Sequence, residues 1–370
     1  MSQEQLLSTL LEIEKLVKAR ATQEIRIAPA LIERDGIGII RKGTINSIQG
    51  GFGSHKSRLG EGLCSLLLDK GCKSEFLGFK KLTSDPITVC YLDTERNTIE
   101  EFPQSIKSIL ANSCNTDGTN FRFTSLKKVD RKDRLDALKV FLSEVRRTTT
   151  NHLFVVLDVV TDCISNFNDP SESMELYDYI GNLAEDDDAT FLLIIHQNPG
   201  SDKARGHLGT EGTNKASTVF SIGFEKNKSN EDTDLIRLKF MKLRSSKRQE
   251  NIYIKYDETL KGLVLAKAAE VKAVLSDRRQ KADNEEVADF LGSFMEESRE
   301  YSQQEILQAI NTQFNCTDNT SKVRLREIEQ CRLELLNSEN IPCRLISKTV
   351  NGKPTRYNLA ALPQEELELI

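Results

Sequence analysis

GGFGSHKS, residues 50–57, stands directly after the extended run TINSIQ (44–49) and directly before a helical run that opens at Lys56. A loop that cradles phosphate wants Gly, four free positions, then Gly-Lys-Ser/Thr. Gly50, Lys56 and Ser57 satisfy that pattern, and His55 occupies the second glycine position. The pattern has a physical reason. Successive backbone N–H groups wrap phosphate oxygens, a helix start favours their charge, a lysine reaches the terminal phosphates, and a hydroxyl ligates Mg²⁺. On this reading the loop comprises Gly50, Gly51, Phe52, Gly53, Ser54, His55, Lys56, Ser57 and Arg58, with Gly51 and Gly53 letting the chain curl. His55 must adopt a backbone conformation that glycine usually supplies, at a cost of roughly 1–3 kcal/mol if its φ is positive. A plain glycine-rich turn is the bland alternative. The strand–loop–helix setting and the Lys-Ser offset favour the phosphate site.

Outward from this loop, extended apolar runs alternate with helical stretches. The runs are ITVCYLDTE (87–95), HLFVVLDVV (152–160) and ATFLLIIHQN (189–198); the helical stretches cover 56–69, 98–111, 131–147 and 172–184. Richness in Val, Ile and Leu marks strands buried on both faces. Such alternation implies βαβ units and a parallel sheet covered by helices. From Ser217 the pattern changes: STVFSIGFEK, LIRLKFMKLR and NIYIKYDET follow one another across turn-like spacers, a meander that extends the sheet at one edge. The expected fold class is α/β, a mostly parallel sheet with an antiparallel edge, over residues 31–266. Residues 1–30 read as an N-terminal helix or arm, 267–285 as a charged linker and 364–370 as an acidic tail. Residues 286–363 read as three helices followed by a hairpin turning at Asn351–Gly352–Lys353–Pro354, a small winged-helix-like domain.

Three side chains end successive predicted strands: Glu95, Asp158 and Gln197. Ligands of open parallel sheets bind beyond the carboxyl ends of strands, so these groups should converge on whatever the loop holds. Asp158 follows a run of apolar residues and its charge needs a partner; Mg²⁺ held together with Ser57 would supply one. Glu95 could orient and deprotonate a water for in-line attack on a γ-phosphorus. Gln197 could donate to the γ-phosphate. Each taken singly is also an ordinary strand-end cap; three at one topological position favour the site.

Charge and composition bound the rest. The net charge of −5 means that any nucleic-acid contact must come from local basic segments. The N-terminal MSQEQLLSTLLEIEKLVKAR carries acids among its leucines and is not a signal peptide, and no apolar run is long enough to span a membrane; a cytoplasmic protein is expected. The eight cysteines stand singly, without a Cys-x-x-Cys pair, and only four histidines are present, so neither a zinc site nor a disulfide framework is expected.

The succession GGFGSHKS, YLDTERN, LFVVLD, LIIHQN and FMKLR resembles the RepA-type hexameric replicative helicases of plasmids and mobile elements, a branch of the RecA-like, DnaB-related P-loop ATPases. The resemblance covers about residues 30–265. It implies that ATP and Mg²⁺ are bound, that Glu95 is the catalytic base, that Asp158 serves Mg²⁺ and that Gln197 senses the γ-phosphate. It further implies that Lys242 and Arg244 reach into a neighbouring subunit's ATP, so that the chain works as a homo-oligomeric ring, a hexamer in that family. A solvated strand edge is the plain alternative for that pair. Single-stranded DNA is the implied track, with a primase or initiator as a partner. The departure at His55 bears on turnover more than on nucleotide binding.

The segment PGSDKARGHLGTEGTNKA (199–216) reads as a long loop carrying Lys203, Arg205, His207 and Lys215, DNA-contact candidates facing a central channel in RecA-like rings. Lys322, Arg326, Lys353 and Arg356 are further candidates in the C-terminal domain, where DNA binding and partner docking weigh evenly. Two functions follow: an ATP-driven, ring-forming helicase or translocase on single-stranded DNA, or an ATP-dependent DNA-binding adaptor with little hydrolysis. A small-molecule kinase lacks an evident acceptor pocket.

Overall fold

The computed structural model describes residues 2–22, 30–198, 204–227, 231–244, 246, 249–277, 284–296, 299–330, 333–339, 341–348 and 355–362. The chain divides into two units, one of residues 1–226 and 232–276, the other of residues 227–231 and 277–370.

The first unit begins with α1 (Gln3–Ala21), whose start is closed by a reciprocal Ser2–Gln5 capping box and which buries none of its residues. β1 (Ala30–Arg34), β2 (Ile37–Arg41), β3 (Ile45–Gly50), α2 (Lys56–Leu68), β4 (Lys80–Lys81), β5 (Ile87–Asp93), α3 (Glu101–Asn112) and β6 (Phe121–Ser125) follow. Then come α4 (Arg134–Arg146), β7 (His152–Asp158), α5 (Pro170–Asp186), β8 (Ala189–His196), α6 (Gly206–Lys215), β9 (Thr218–Lys226), β10 (Asp232–Leu243), β11 (Ile252–Asp257), β12 (Gly262–Leu265) and α7 (Ala268–Asp277). Among the described residues nine strands form one sheet, in the order β12-β11-β10-β9-β3-β8-β7-β5-β6. From β9 through β6 every pairing is parallel, and from β9 to β12 every pairing is antiparallel. The expected mostly parallel sheet with an antiparallel edge is present.

Successive residues of a strand face opposite sides, so the central strands feed two cores. Val89, Tyr91, Phe154 and Val156 join Leu59, Leu63 and Leu67 of α2 and Phe102, Ile106 and Ile109 of α3 in one cluster. Cys90, Leu92, Val155 and Leu157 join Leu138 and Leu142 of α4 and Leu176, Ile180 and Leu183 of α5 in the other. Every residue of β5 and β7 is buried. This is why those runs show no polar alternation.

Three features depart from the sequence reading. Residues 30–41 and 80–81 form a separate antiparallel sheet, order β2-β1-β4. Its hairpin turns at Asp35–Gly36, both at positive φ, the Asp-Gly signature of a two-residue turn. The expected loop over 199–216 is helical from Gly206 to Lys215. Its glycines serve close contact: a Cβ on Gly212 would lie 2.1 Å from the Tyr177 hydroxyl, and one on Gly209 2.4 Å from the Ala204 backbone. Cys72 and Cys114, both exposed, are joined in a disulfide across 42 residues, with Cα atoms 6.0 Å apart. The α2–α3 contact brings their following turns together, which spacing along the chain does not reveal.

The second unit contains α8 (Asn284–Phe294), β13 (Tyr301–Ser302), α9 (Gln303–Phe314), α10 (Asp318–Gln330), β14 (Leu335–Leu336), β15 (Pro342–Lys348) and β16 (Arg356–Ala361). Its strands form a small antiparallel sheet, order β13-β16-β15-β14, over a core of Val287, Leu291, Ile306, Ile310, Leu325, Ile328 and Leu359. β15 and β16 pair up to Lys348 and Arg356. The expected turn at 351–354 lies outside the described residues.

Candidate nucleotide site

The loop between β3 and α2 is shaped by three residues. Gly50 admits no side chain, since a Cβ there would lie 2.4 Å from both the Ile222 carbonyl and Ser54 Oγ. Gly53 takes φ +70°, the region that favours glycine, and the space where Cβ atoms of Gly51 and Gly53 would project is open. His55 sits left-handed at φ 65° and ψ 25° as the N-terminal cap residue of α2, without a side-chain cap bond. The first-turn N–H groups of a helix are then left for an outside acceptor, and an anion is the natural one. Lys56, buried, donates from Nζ to the Gly51 carbonyl at 2.7 Å, and burial lowers its pKa.

His55 is held by its neighbours. Its ring stacks on Tyr256 of β11 at 5.2 Å and 7°, and meets the edge of Phe224 at 5.7 Å. Arg58 Nη1 lies 2.6 Å from His55 Nδ1 and covers the Tyr256 ring at 4.3 Å. A guanidinium can only donate, so Nδ1 accepts and the imidazole is neutral with its proton on Nε2. Burial, followed by the Arg58 charge, lowers its pKa to about 4. The sign follows directly. Between pH 6.5 and 4 the unfolded chain binds a proton at this residue that the folded chain refuses, so stability falls as pH drops through that window. His55→Gly should therefore reduce the loss of melting temperature between pH 7 and pH 5. At pH 7 the relieved left-handed strain, about 1–2 kcal/mol, nearly offsets aromatic contacts worth about 0.5–1.5 kcal/mol. Melts at the two pH values check it; an unchanged pH dependence contradicts it.

The acidic side of the site is organised by Arg96. Its guanidinium donates to Asp93 Oδ2 (2.6 Å), Glu61 Oε1 (2.6 Å), Asp158 Oδ2 (3.0 Å), the Tyr91 hydroxyl (3.0 Å) and Ser105 Oγ. It thereby ties α2, β5, α3 and β7 together. Tyr91 also donates to Asp158 Oδ2 at 2.7 Å. Asp158 is buried, which pushes its carboxyl up to about 6 against the pull of Arg96 and of hydrogen bonds from Tyr91 and Ser57. Ser57 and Asp158 thus meet at the start of α2, a hydroxyl and a carboxylate suited to a hard cation such as Mg²⁺.

Glu95 is half-exposed and faces the same cleft as Lys56. Its Oε1 lies 3.3 Å from His196 Nε2, and that hydrogen bond is the main cause of its lowered pKa. The cleft runs from Phe52 and His196 past Lys56, Glu95 and Arg96 to Tyr256, Lys261 and Leu263. Gln197 is placed differently: its backbone N–H donates to the Gly50 carbonyl at 3.0 Å, and its side chain to Ser221 Oγ on β9 at 2.9 Å. Lys242 Nζ donates to the Thr213 and Asn214 carbonyls, and Arg244 to Asn214, so both close the C-terminal end of α6.

The remaining candidates are dispersed. Lys215 pairs with Asp178 at 2.9 Å, Arg205 lies over the Phe167 ring, and His207 is exposed at the start of α6. Lys322, Arg326 and Arg356 are exposed in the second unit, while Lys203 and Lys353 lie outside the described residues. Sequence reasoning missed Arg96, His196 and Tyr256. Arg96 and His196 adjoin Glu95 and Gln197 in sequence. Tyr256 is distant in sequence and carries no motif.

No family model matches the sequence, and no curated protein matches it either. Among solved structures, the chain is similar to the flagellar accessory protein FlaH from Methanocaldococcus jannaschii. The TM-score is 0.42 with 17% identity, over 64% of this chain and 94% of that one. No helix among the described residues is long and apolar enough to cross a membrane.

Proposed function

We propose that the chain is a RecA-like, Mg²⁺-dependent ATPase that works as a ring on single-stranded DNA, the activity of the RepA-type helicases it resembles. One observation carries the ATPase reading: Lys56 and Glu95 face one cleft at the uncapped start of α2, where Ser57 meets Asp158. The triphosphate lies along the loop, its oxygens accepting from the first-turn N–H groups and from Lys56 once that ammonium leaves the Gly51 carbonyl. Mg²⁺, held through Ser57 and Asp158, would neutralise charge on the phosphates. Glu95 orients a water in line with the γ-phosphorus and takes its proton. Lys242 and Arg244 serve a neighbouring subunit's nucleotide once they leave the Thr213 and Asn214 carbonyls at the end of α6, and Arg205, His207 and Lys215 offer DNA contacts.

The second reading, an adaptor with little turnover, rests on the missing glycine at position 55. The left-handed backbone of His55 weakens it, since the histidine adopts the conformation that glycine would have supplied. The C-terminal helices and hairpin suit a winged-helix role in binding DNA or a partner under either reading. Phosphate release with and without single-stranded DNA separates them. DNA-stimulated turnover supports the motor, and tight ATP retention without turnover supports the adaptor.

A further inference from the structure

We propose that the second unit reads duplex DNA by sequence, with the exposed face of α10 in the major groove and the β15–β16 hairpin on the adjoining phosphates. The inference rests on the winged-helix reading of this unit and deepens it; it does not depend on the nucleotide site.

α10 has two faces of different chemistry. Ser321, Leu325 and Ile328 are buried, the last two in the core shared with α8 and α9. Asn319, Lys322, Val323, Arg326 and Gln330 are exposed. Their spacing, alternately three and four residues, puts them on one side of the helix. The carboxylates of the helix are engaged within the unit. Asp318 Oδ1 accepts from Asn311 Nδ2 at 2.6 Å and Glu327 Oε2 from Arg324 Nη1 at 2.8 Å. Glu329 Oε1 accepts from the backbone N–H and the hydroxyl of Ser347. The outward side therefore presents ammonium, guanidinium and amide groups, in a chain whose net charge is −5. Gln308, Asn311 and Lys322 line an open polar groove between α9 and α10, so amide groups continue beyond α10 itself.

That set of groups matches base edges. A guanidinium or ammonium donates to guanine O6 and N7, a side-chain amide both donates to and accepts from adenine, and an apolar group meets the thymine methyl. A helix fits the major groove, about 12 Å wide. Single-stranded DNA is held largely by stacking on aromatic rings, and α10 contains none. The aromatics Phe290, Phe294, Tyr301 and Phe314 pack on one another instead. A protein partner calls for apolar or aromatic anchors at the centre of its footprint. Val323, 38% exposed, is the apolar residue this face offers. The hairpin supplies the backbone contact. Lys348 and Arg356, both exposed, oppose each other as the last described pair of its ladder, and neighbouring cations suit phosphates. Because this unit and the ATPase unit are one chain, a preferred duplex sequence would collect the ATPase there.

The test uses full-length protein without nucleotide, a pool of short duplexes with a randomised centre, and excess unlabelled oligo-dT to occupy any single-strand track. Bound duplexes are selected, and the enriched sequence and a scrambled duplex of equal composition are titrated by fluorescence anisotropy. Wild type should favour the enriched sequence by about 10²–10³-fold. Arg326→Ala and Lys322→Ala should each cut that preference about tenfold, the worth of one base contact. Both side chains are exposed, so neither change should disturb folding. Lys348→Ala should weaken both duplexes alike and reduce the salt slope by about one. A preference that survives in both Arg326→Ala and Lys322→Ala overturns the inference. Equal binding of all duplexes, with nothing enriched, also overturns it and leaves the winged-helix role in DNA binding standing. No duplex binding even at low salt overturns the inference together with DNA as this unit's ligand, and leaves a protein partner.

Discussion

Arg96→Met is expected to lower the melting temperature by roughly 6–20 °C at pH 8. The guanidinium, 18% exposed, reaches three carboxylates that are themselves 1%, 3% and 13% exposed: Asp93, Asp158 and Glu61. Removing one partner from a buried ion pair costs about 3–5 kcal/mol, because the charges left behind are neither paired nor hydrated. For a domain of this size each kcal/mol shifts melting by roughly 2–4 °C. The loss should shrink as pH falls. Without Arg96 the Asp158 carboxyl, already raised to about 6 by burial, rises further, so the folded protein gains a proton more readily than the unfolded chain. Stability of the variant relative to wild type therefore improves from pH 8 toward pH 5.5. Thermal denaturation followed by circular dichroism at both values measures this. A drop below about 2 °C at pH 8 would mean that Arg96 organises nothing.

Glu95→Gln should reduce ATP turnover by about 10²–10⁴-fold, the usual worth of a positioned general base. The amide keeps shape and hydrogen bonding and loses only the ability to take a proton. Because Glu95 faces the cleft half-exposed and makes no bond within the phosphate loop, ATP affinity should remain within about threefold of wild type. Phosphate release and nucleotide titration on the same preparations separate rate from binding. Turnover within about threefold of wild type would remove Glu95 from the chemistry.

Much of this site was legible because its residues sit where regular structure ends. GGFGSHKS identifies itself by a strand before it and a helix after it, Asp158 by the apolar run LFVVL that it closes, and Glu95 by standing just past the end of β5. The parallel sheet was equally legible, since β5 and β7 bury every residue and their runs are dominated by apolar side chains. Arg96 was not, because its role depends on Glu61 lying 35 residues earlier and Asp158 lying 62 later in the chain. Tyr256 escaped for the same reason: it reaches His55 only once the antiparallel edge folds back beside the loop. The reading of 199–216 as an open loop failed on composition. Its glycines fit a helix tightly instead of freeing a loop, Gly209 against Ala204 and Gly212 against Tyr177. Gln197 falls one residue beyond β8 and its side chain donates to Ser221 of β9, while the preceding His196 is the residue beside Glu95.

The most direct test is a crystal structure of the protein with Mg²⁺ and a non-hydrolysable ATP analogue. The triphosphate should lie against the first turn of α2, with Lys56 Nζ moved from the Gly51 carbonyl to the phosphates, the metal at Ser57 and Asp158, and Glu95 facing the γ-phosphorus. Nucleotide bound elsewhere, or Lys56 still on Gly51 with the loop empty at saturating analogue, would contradict the account.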